Sequence, residues 1–512
     1  MSVSEINKPA AKKVTLTVQS ADAETEIFLI DGEFQLVARG VGQLQAEIEP
    51  GIFKVKCRAG AFTSERLVLV RDQPVVVSLP RVSFSSPAPL NGTAKTHEFH
   101  VEAARVESRN IHVKSGTGSW IFVFARDWAV TSDSTRDRHP ARGLSIHTEE
   151  GTRIAEVNKE GVHGVAGDPW GACNLEVEPG TYRLRLNLPT QNGQKKVSLE
   201  QAIVASPGWQ TQVFLLQKPY GPDQGDWAAD LAGAAILLSR GLGFEPSRSD
   251  FRQTELVRLG LTNRRQLISE EILQMLRAKM ENPMLGILGA HLFLLGPQID
   301  QDLLAVAVQN LRILLGAPHP DVEAIALQLE SGTSYAFSSP PMLRRSWSLL
   351  VEATTRESTV IVPNSLAASI WDRLWAEEPW LIWAVPETIA TGGAKGVGLE
   401  SQLESDNSAL VAALKEYILP RVPPMVRPTS SPFAAVMKMQ FSPTEGTKER
   451  NLDTLTPAGP IKRPVGTLPQ ERVEDQKMKA LARTLAIPGG TLRKALNRIY
   501  GKSECTDDEF DR

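Results

Sequence analysis

The sequence predicts a multidomain β plus α protein: two small antiparallel β-sandwiches, then an α-helical domain, a Pro-rich linker and a small helical C-terminal module. Two nearly identical stretches, EIEPGIFKVKC from Glu47 and EVEPGTYRLRL from Glu176, lie 129 positions apart (176 minus 47). After Gln217 the apolar residues change from alternation to a spacing of three and four. The chain has 512 residues, whereas a domain has roughly 100 to 200, so several domains are expected.

The repeated stretches have the period of half-buried strands. Apolar residues alternate with polar ones on both sides of Pro50-Gly51, and Pro179-Gly180 repeats the arrangement. Proline followed by glycine is typical of a type II turn, so each corner is predicted to be a hairpin. The predicted boundaries are a flexible N-terminus 1–11, β-sandwich 1 at 12–80, a linker at 81–116, β-sandwich 2 at 117–218, a helical domain at 226–419, a Pro-rich linker at 420–470, a helical hairpin at 471–502 and an acidic tail at 503–512.

At EPG-Phe53-Lys-Val and EPG-Tyr182-Arg-Leu the pattern resembles the transthyretin-like sandwiches of the PEGA and carboxypeptidase-regulatory type. In those domains a PG corner, followed by an aromatic and alternating basic residues, marks the last hairpin. The resemblance covers about residues 12–80 and 117–218. It implies noncatalytic attachment or spacer modules.

The helical domain is delimited by explicit stop signals. Asn282-Pro283, Gly296-Pro297 and the stretch Gly316–Pro320 separate apolar stripes such as Leu304, Val308, Leu311 and Leu315. Small residues in NPMLGILGAHLFLLG predict close approach of a neighbouring helix. This stretch is similar to helical regions of bacterial proteins linked to peptidase-associated conflict systems, which implies a role in bacterial conflict or signalling.

Four tryptophans lie in the segment SIWDRLWAEEPWLIWAVPE. Trp371 and Trp375 are four residues apart, which places them on one face if the segment is helical. Tryptophan is favoured both in cores and at interaction hot spots, so two interpretations stand: intramolecular packing or a partner-binding surface. The partner-binding candidates are Trp371, Trp375, Trp380 and Trp383.

The C-terminal stretch LARTLAIPGGTLRKAL has a spacing that resembles the helix-turn-helix of bacterial regulators. Pro488 stands where a serine or threonine normally caps the second helix, and Gly489 and Gly490 lack the side chains that would read bases. The module is therefore predicted to be degenerate and to dock on protein. In the alternative, Arg493, Lys494 and Arg498 would contact phosphates.

Composition excludes several classes of function. A formal net charge of −3 disfavours a general nucleic-acid or membrane field, and three scattered cysteines give no disulfide framework or zinc cluster. The most apolar run is shorter than the roughly 20 residues of a membrane span. No GxxxxGK[ST], HExxH or GxSxG motif occurs, and neither the HxxH at His97 and His100 nor any other pattern predicts a metal or cofactor.

These observations predict a cytoplasmic, noncatalytic adaptor or scaffold that engages protein partners. One alternative is a DNA-associated regulator that uses the C-terminal module. A second is a hydrolase whose Ser, His and Asp come together only in the folded chain, because catalytic triads are recognised by geometry and not by sequence order.

Overall fold

A computed structural model describes residues 13–93, 100–127, 139–164, 169–188, 197–220, 226–265, 267–278, 280–296, 298–375 and 378–385. In this part of the chain the protein is mixed β and α, with β-sheets first and most helices later. The predicted N-terminal segment 1–11, Pro-rich linker, helical hairpin and acidic tail lie outside the described residues.

The first sheet has seven strands in the order β6-β5-β2-β3-β4-β1-β7. Its strands are β1 Val14–Ser20, β2 Glu26–Ile30, β3 Leu36–Val41, β4 Gln43–Ile48, β5 Gly51–Ala59, β6 Phe62–Val70 and β7 Val75–Leu79. Alternate residues, such as Phe53, Val55 and Cys57 of β5, enter one hydrophobic core, as the period-two pattern predicts. Strands β3 and β4 meet only at Val41 and Gln43, around Gly42, and both ends of the sheet contribute to this core.

Two further sheets are built from the region around the second repeat and from later strands. Their strands are β8 Val113–Lys114, β9 Ser119–Arg126, β10 Leu144–Thr148, β11 Arg153–Glu156, β12 Val162–His163, β13 Trp170–Val177, β14 Gly180–Asn187, β15 Ser198–Ala205, β16 Trp209–Tyr220, β17 Asp226–Ala229, β18 Ala235–Arg240, β19 Leu374–Trp375 and β20 Ile382–Val385. One sheet has the order β11-β10-β14-β15-β20-β19. The other has the order β12-β13-β9-β16-β17, with β18 on β16 and β8 on β13.

The chain contains two strand units with the same connectivity. The first unit is the sheet of β1 to β7, and the second unit consists of β9, β10, β11, β13, β14, β15 and β16. The set β15-β14-β10-β11 repeats the order β6-β5-β2-β3, and β13-β9-β16 repeats β4-β1-β7. Strands β9 and β16 are parallel, as are β1 and β7, whereas the other corresponding pairs are antiparallel. Phe53 and Tyr182 hold equivalent positions, opposite Val68 and Ile203 respectively. The likeness of the two sequence stretches therefore extends to the pairing of whole strands.

The proline-glycine corners are not hairpins, which corrects the prediction. Strand β4 pairs with β1 and β3, whereas β5 pairs with β2 and β6; β13 and β14 even belong to different sheets. Each corner carries the chain from one set of strands to another, so that Ile48 and Phe53 enter the same core from either side. Alternation along a strand shows which side chains are buried but does not show which strand lies beside it.

Helices follow the second unit, and two short ones lie within or before it. They are α1 Val101–Glu107, α2 Val157–Glu160, α3 Ser249–Thr262, α4 Glu270–Arg277, α5 Pro283–Phe293, α6 Gln301–Leu315, α7 Pro320–Ala326, α8 Arg344–Thr354 and α9 Leu366–Ser369. The region predicted as wholly helical thus also contains β17 to β20. These strands extend the sheets of the second unit, and their side chains share one core with those of α3 to α8.

The predicted helix boundaries between α5 and α7 agree with the structure. Asn282 Oδ1 accepts a hydrogen bond from the Leu285 N–H at 3.1 Å, and Pro283 is the first residue of α5. Gly316, with φ of 70°, ends α6. Gly286 lies so close to Leu311 that an added Cβ would be 2.9 Å from its side chain, which confirms the predicted close approach of a second helix.

Residues 81–116, predicted as a linker, include ordered and buried groups. Phe84 and Leu90 are inaccessible to solvent, and α1 lies within this range. Side chains from this range and from α3 cover one face of the strands β9 and β16, while the other face belongs to the core shared with the helices. A strand that is buried on both faces is apolar at successive positions, as in the run Trp120–Ala125 of β9. In the described part of the chain, no helix is long and apolar enough to cross a membrane.

Candidate partner-binding face

The tryptophan segment is a pair of strands. Helix α9 ends at Ser369, and the later residues form β19 and β20, which corrects the helical prediction for this segment. Trp371 packs edge-on against Trp347, with ring centroids 5.2 Å apart. Trp375 lies in β19, and its side chain is outside the described part. Aromatic and β-branched residues are common in strands, so the i, i+4 spacing alone was not sufficient evidence for a helix.

Trp380 and Trp383 lie inside the protein. Both are at most 1% exposed. The Trp380 indole N–H donates to the Ala234 carbonyl at 2.8 Å, and the Trp383 indole N–H donates to Glu200 Oε2 at 2.9 Å. Of the two interpretations of these tryptophans, intramolecular packing therefore describes both residues, and neither contributes a surface for a partner. The nucleic-acid candidates Arg493, Lys494 and Arg498 lie outside the described residues.

A serine, a histidine and an aspartate do meet in the helical region. Ser346 Oγ donates to Asp321 Oδ1 at 2.7 Å and lies 2.8 Å from His291 Nε2. Burial lowers the pKa of His291 to about 3, so the ring is neutral at physiological pH. Asp321 also accepts the backbone N–H groups of Met342 and Leu343, both at 2.9 Å, at the start of α8.

This network does not have the arrangement of a catalytic triad. In a triad the carboxylate orients the histidine and the serine donates to that histidine. Here the carboxylate accepts the serine hydroxyl and the free N–H groups at a helix start, and all three side chains are at most 1% exposed. These contacts are those of a buried core histidine whose ring is hydrogen-bonded.

A second serine–histidine pair lies beside a cavity of about 170 Å³ on the second unit. Ser145 Oγ is 2.9 Å from His147 Nε2, and His147 Nδ1 is 3.0 Å from the Gly151 carbonyl oxygen. The carbonyl selects the tautomer in which Nδ1 carries the proton, so Nε2 can accept from the serine. Burial lowers the pKa of His147, which keeps the ring neutral and able to act as a base.

An apolar surface covers part of the first sheet. Rows of residues on its outer side can be read across paired strands, such as Leu67 on β6, Lys54 on β5, Ile30 on β2 and Leu36 on β3. We define the apolar outer face by its six apolar members: Ile30, Phe34, Leu36, Ile52, Leu67 and Leu69. Leu67 is 73% exposed, Ile52 60% and Leu69 54%, although their strand neighbours Val68 and Val70 are buried.

Charged residues lie within this face and beside it. Lys54 and Lys56 lie 3.1 and 3.7 Å from the Glu65 carboxylate, and the Lys54 ammonium is 5.8 Å from the centre of the Phe34 ring. Glu26 is buried beneath Arg58, whose guanidinium donates to both of its oxygens at 2.6 and 2.8 Å. Although burial opposes ionisation, these arginine contacts lower the pKa of Glu26, so it stays charged. The result is an apolar surface that includes Lys54 and continues into the charged residues Lys56, Glu65 and Arg58.

The corresponding face of the second unit is buried and only partly polar, with Ala202 and Val204 at the positions of Leu67 and Leu69. Ser145 and His147 occupy the positions that Phe28 and Ile30 hold in the first unit, as the registers with β14 and β5 show. Strand β20 lies against β15, the counterpart of β6. The sequence did not reveal this difference, because exposed apolar residues such as Leu67 read as ordinary strand residues until their neighbours are known.

Comparison with known proteins gives no family. No protein-family model matches the chain, and no curated protein matches it.

Proposed function

We propose that this protein is a noncatalytic multidomain adaptor that binds a protein partner through the apolar outer face of its first sheet. The observation that carries the proposal is the exposure of Leu67, Ile52 and Leu69 on adjacent strands. Contiguous exposed apolar side chains bordered by charges are typical of interaction sites, whereas scattered single ones are ordinary.

In this proposal the two strand units are copies of one transthyretin-like β-sandwich that serves as an attachment module. The equal strand order, the equivalent EPG corners and the core between the two ends of the first sheet support it. In the second unit the residues at the positions of Leu67 and Leu69 are Ala202 and Val204, and both are buried. The exposure of Leu67 and Leu69 in the first unit is what a surface covered by a partner would show.

The conformation of Phe34 supports the same surface. This residue has φ of 63°, in the left-handed region that costs a residue with a side chain roughly 1–2 kcal/mol. Asp31 Oδ1 accepts the backbone N–H groups of Glu33 and Gln35 at 2.9 and 2.8 Å and so holds the turn in this form. The ring is 77% exposed. A strained turn that presents an aromatic ring to solvent is expected where the ring is used for binding.

Replacement of Leu67 by aspartate is expected to reduce partner capture strongly without loss of folding. The charge would be desolvated on binding, which weakens association by about tenfold or more. The test is affinity capture from the source cells with tagged full-length chain, followed by quantitative mass spectrometry. Val76→Asp is the matched control, because Val76 of β7 is 66% exposed and lies outside the apolar outer face. Equal recovery of every co-purifying protein by Leu67→Asp and wild type would exclude the face as the binding site.

A hydrolase is the second candidate, favoured by the Ser145–His147 pair beside its cavity. Its test is labelling with a fluorophosphonate probe, which reacts covalently with an activated serine. The hydrolase predicts labelling of the wild-type chain and none of Ser145→Ala. If the wild-type chain is not labelled over the time in which a known serine hydrolase reacts fully, this candidate is removed.

A further inference from the structure

The second unit shows how an outer strand of this fold can be covered. Strand β20 lies antiparallel to β15, with Trp383 opposite Glu200. The Trp383 indole N–H donates to one oxygen of Glu200 at 2.9 Å, and Arg185 donates to the other at 2.8 and 2.6 Å. Glu200 is 1% exposed. The carboxylate is thus shared between basic residues of the neighbouring strand and an aromatic donor on the added strand.

The first unit has the same carboxylate on the corresponding strand. Glu65 lies opposite Lys56 in the β5–β6 pair, as Glu200 lies opposite Arg185 in the β14–β15 pair. Its oxygens are bound by Lys54 and Lys56. Among the described residues β6 pairs with β5 alone, and the Glu65 side chain remains 44% exposed. The basic residues that bind the carboxylate are therefore present in the first unit. Within the described residues, no added strand supplies the aromatic donor that Trp383 of β20 gives to Glu200.

We propose that β6 binds an extended strand of a partner protein, antiparallel, with a tryptophan opposite Glu65; this inference rests on the proposed adaptor function and deepens it. In the second unit Trp383 lies opposite Glu200, so the partner's tryptophan takes that position beside Glu65. Because side chains on one face recur every second residue, the residue two positions before the tryptophan lies opposite Leu67. The partner motif is an apolar residue, any residue, then tryptophan.

Backbone hydrogen bonds to a free strand edge supply affinity in this mode, and side chains on one face supply specificity. When the partner strand binds, its apolar side chains cover Leu67 and Leu69 of the apolar outer face. The indole N–H replaces water that the half-exposed Glu65 carboxylate loses on binding, in addition to the two lysines, whereas a purely aliphatic strand supplies no such donor.

A second copy of this chain fits the same edge poorly. An antiparallel pair of β6 strands centred on Leu67 would place Glu65 opposite Leu69, which buries a carboxylate against an aliphatic side chain. Centring on Arg66 places two guanidinium groups opposite each other, and centring on Glu65 places two carboxylates opposite each other. None of these registers supplies a further donor to Glu65 in the place of the water it loses.

The test uses a fluorescein-labelled peptide with the sequence of Leu381–Val385, LIWAV, and one lysine at each end. Its binding to the full-length chain is followed by fluorescence anisotropy at physiological salt. We expect saturable binding that is weakened about tenfold or more by Leu67→Asp, and by a peptide in which alanine replaces the tryptophan. Val76→Asp and a scrambled peptide are the controls.

Each other outcome overturns the strand proposal. If the peptide does not bind, the chain has no site for such a strand. If it binds wild type and Leu67→Asp equally, its binding site is not at β6. A wild-type chain that dimerises in sedimentation and becomes monomeric with Leu67→Asp assigns the edge to a second copy. If the peptide fails while Leu67→Asp still loses a captured protein, the strand mode is wrong and the adaptor function stands. Thermal unfolding of the variants shows that each remains folded.

Discussion

Replacement of Glu24 by glutamine is expected to raise the free energy of unfolding by about 3 kcal/mol at pH 7 and by almost nothing at pH 4. Glu24 lies between β1 and β2, is 1% exposed, and neither carboxylate oxygen has a hydrogen-bond partner among the described residues. Burial raises its pKa from 4.5 to about 8, and the carboxylates of Glu271 and Asp22 act in the same direction. Its own backbone amide and Arg252 offset only part of this effect.

The pH dependence follows from the direction of that shift. Below pH 4.5 the carboxyl is protonated in both the folded and the unfolded chain, so ionisation costs no stability. As the pH rises from 4.5 to about 8, the unfolded chain loses the proton and the folded chain retains it, which favours unfolding by about 1.4 kcal/mol per pH unit. Above about pH 8 the loss is complete. The advantage of Glu24→Gln should therefore grow between pH 5 and 8 and then level off.

Urea unfolding of the wild type and Glu24→Gln at several pH values measures this difference directly. Glu24→Met adds a second comparison: it removes the unpaired polar atoms as well as the charge and should be at least as stable as Glu24→Gln. Glu49→Gln, which removes an exposed carboxylate near the corner after β4, serves as the control and should change stability by less than about 0.5 kcal/mol. A difference that stays constant from pH 5 to 8 would show that Glu24 ionises normally.

Local patterns in the sequence predicted the strands but not their partners. The alternation in EIEPGIFKVKC identifies Phe53 and Val55 as core residues, and both are buried. The same alternation is compatible with a hairpin and with a connection between two sets of strands, because Ile48 and Phe53 point inward in both. Helix ends at Asn282-Pro283 and Gly316 were predictable because caps and stops are local interactions.

The candidate binding face required information that no local pattern holds. Leu67 and Val68 are similar residues in one strand, yet one is 73% exposed and the other is buried. The contrast with the second unit depends on β20, which begins 177 residues after β15 ends (382 minus 205). The tryptophan segment was misinterpreted for the same reason: Trp380 and Trp383 are buried by residues distant in the sequence, including Ala234 and Glu200.

Replacement of Arg252 by methionine is expected to lower the free energy of unfolding by about 3–5 kcal/mol, because it leaves a buried carboxylate without its main partner. Arg252 of α3 is 4% exposed, and its guanidinium donates to both oxygens of Asp22 at 2.9 and 2.8 Å. It also donates to the carbonyls of Val82 and Gly92 and lies 4.7 Å from the centre of the Phe84 ring. Arg81, 3.5 Å from Asp22 but 59% exposed, can compensate only in part.

Arg252→Lys separates charge from geometry. A lysine keeps the positive charge but cannot reach two carboxylate oxygens and two carbonyls from one planar group, so an intermediate loss of stability is expected. Arg153→Met breaks a pair in which the arginine is 60% exposed, and it should change stability by less than about 1 kcal/mol. If Arg252→Met proves no worse than Arg153→Met in urea unfolding, the buried pair does not stabilise the fold.

The position of Arg252 predicts where the loss of stability appears. Asp22 lies between β1 and β2 of the first sheet, and Val82 and Gly92 lie in the segment that follows this sheet. Arg252 lies in α3, which packs against the second unit. Removing the guanidinium should therefore loosen the first sheet more than the core around β9 and β16. Hydrogen exchange of Arg252→Met should be faster in β1 and β2 at conditions where β9 and β16 retain wild-type protection. Equal acceleration in all four strands would instead show that the chain unfolds as one cooperative unit, with Arg252 stabilising the whole of it.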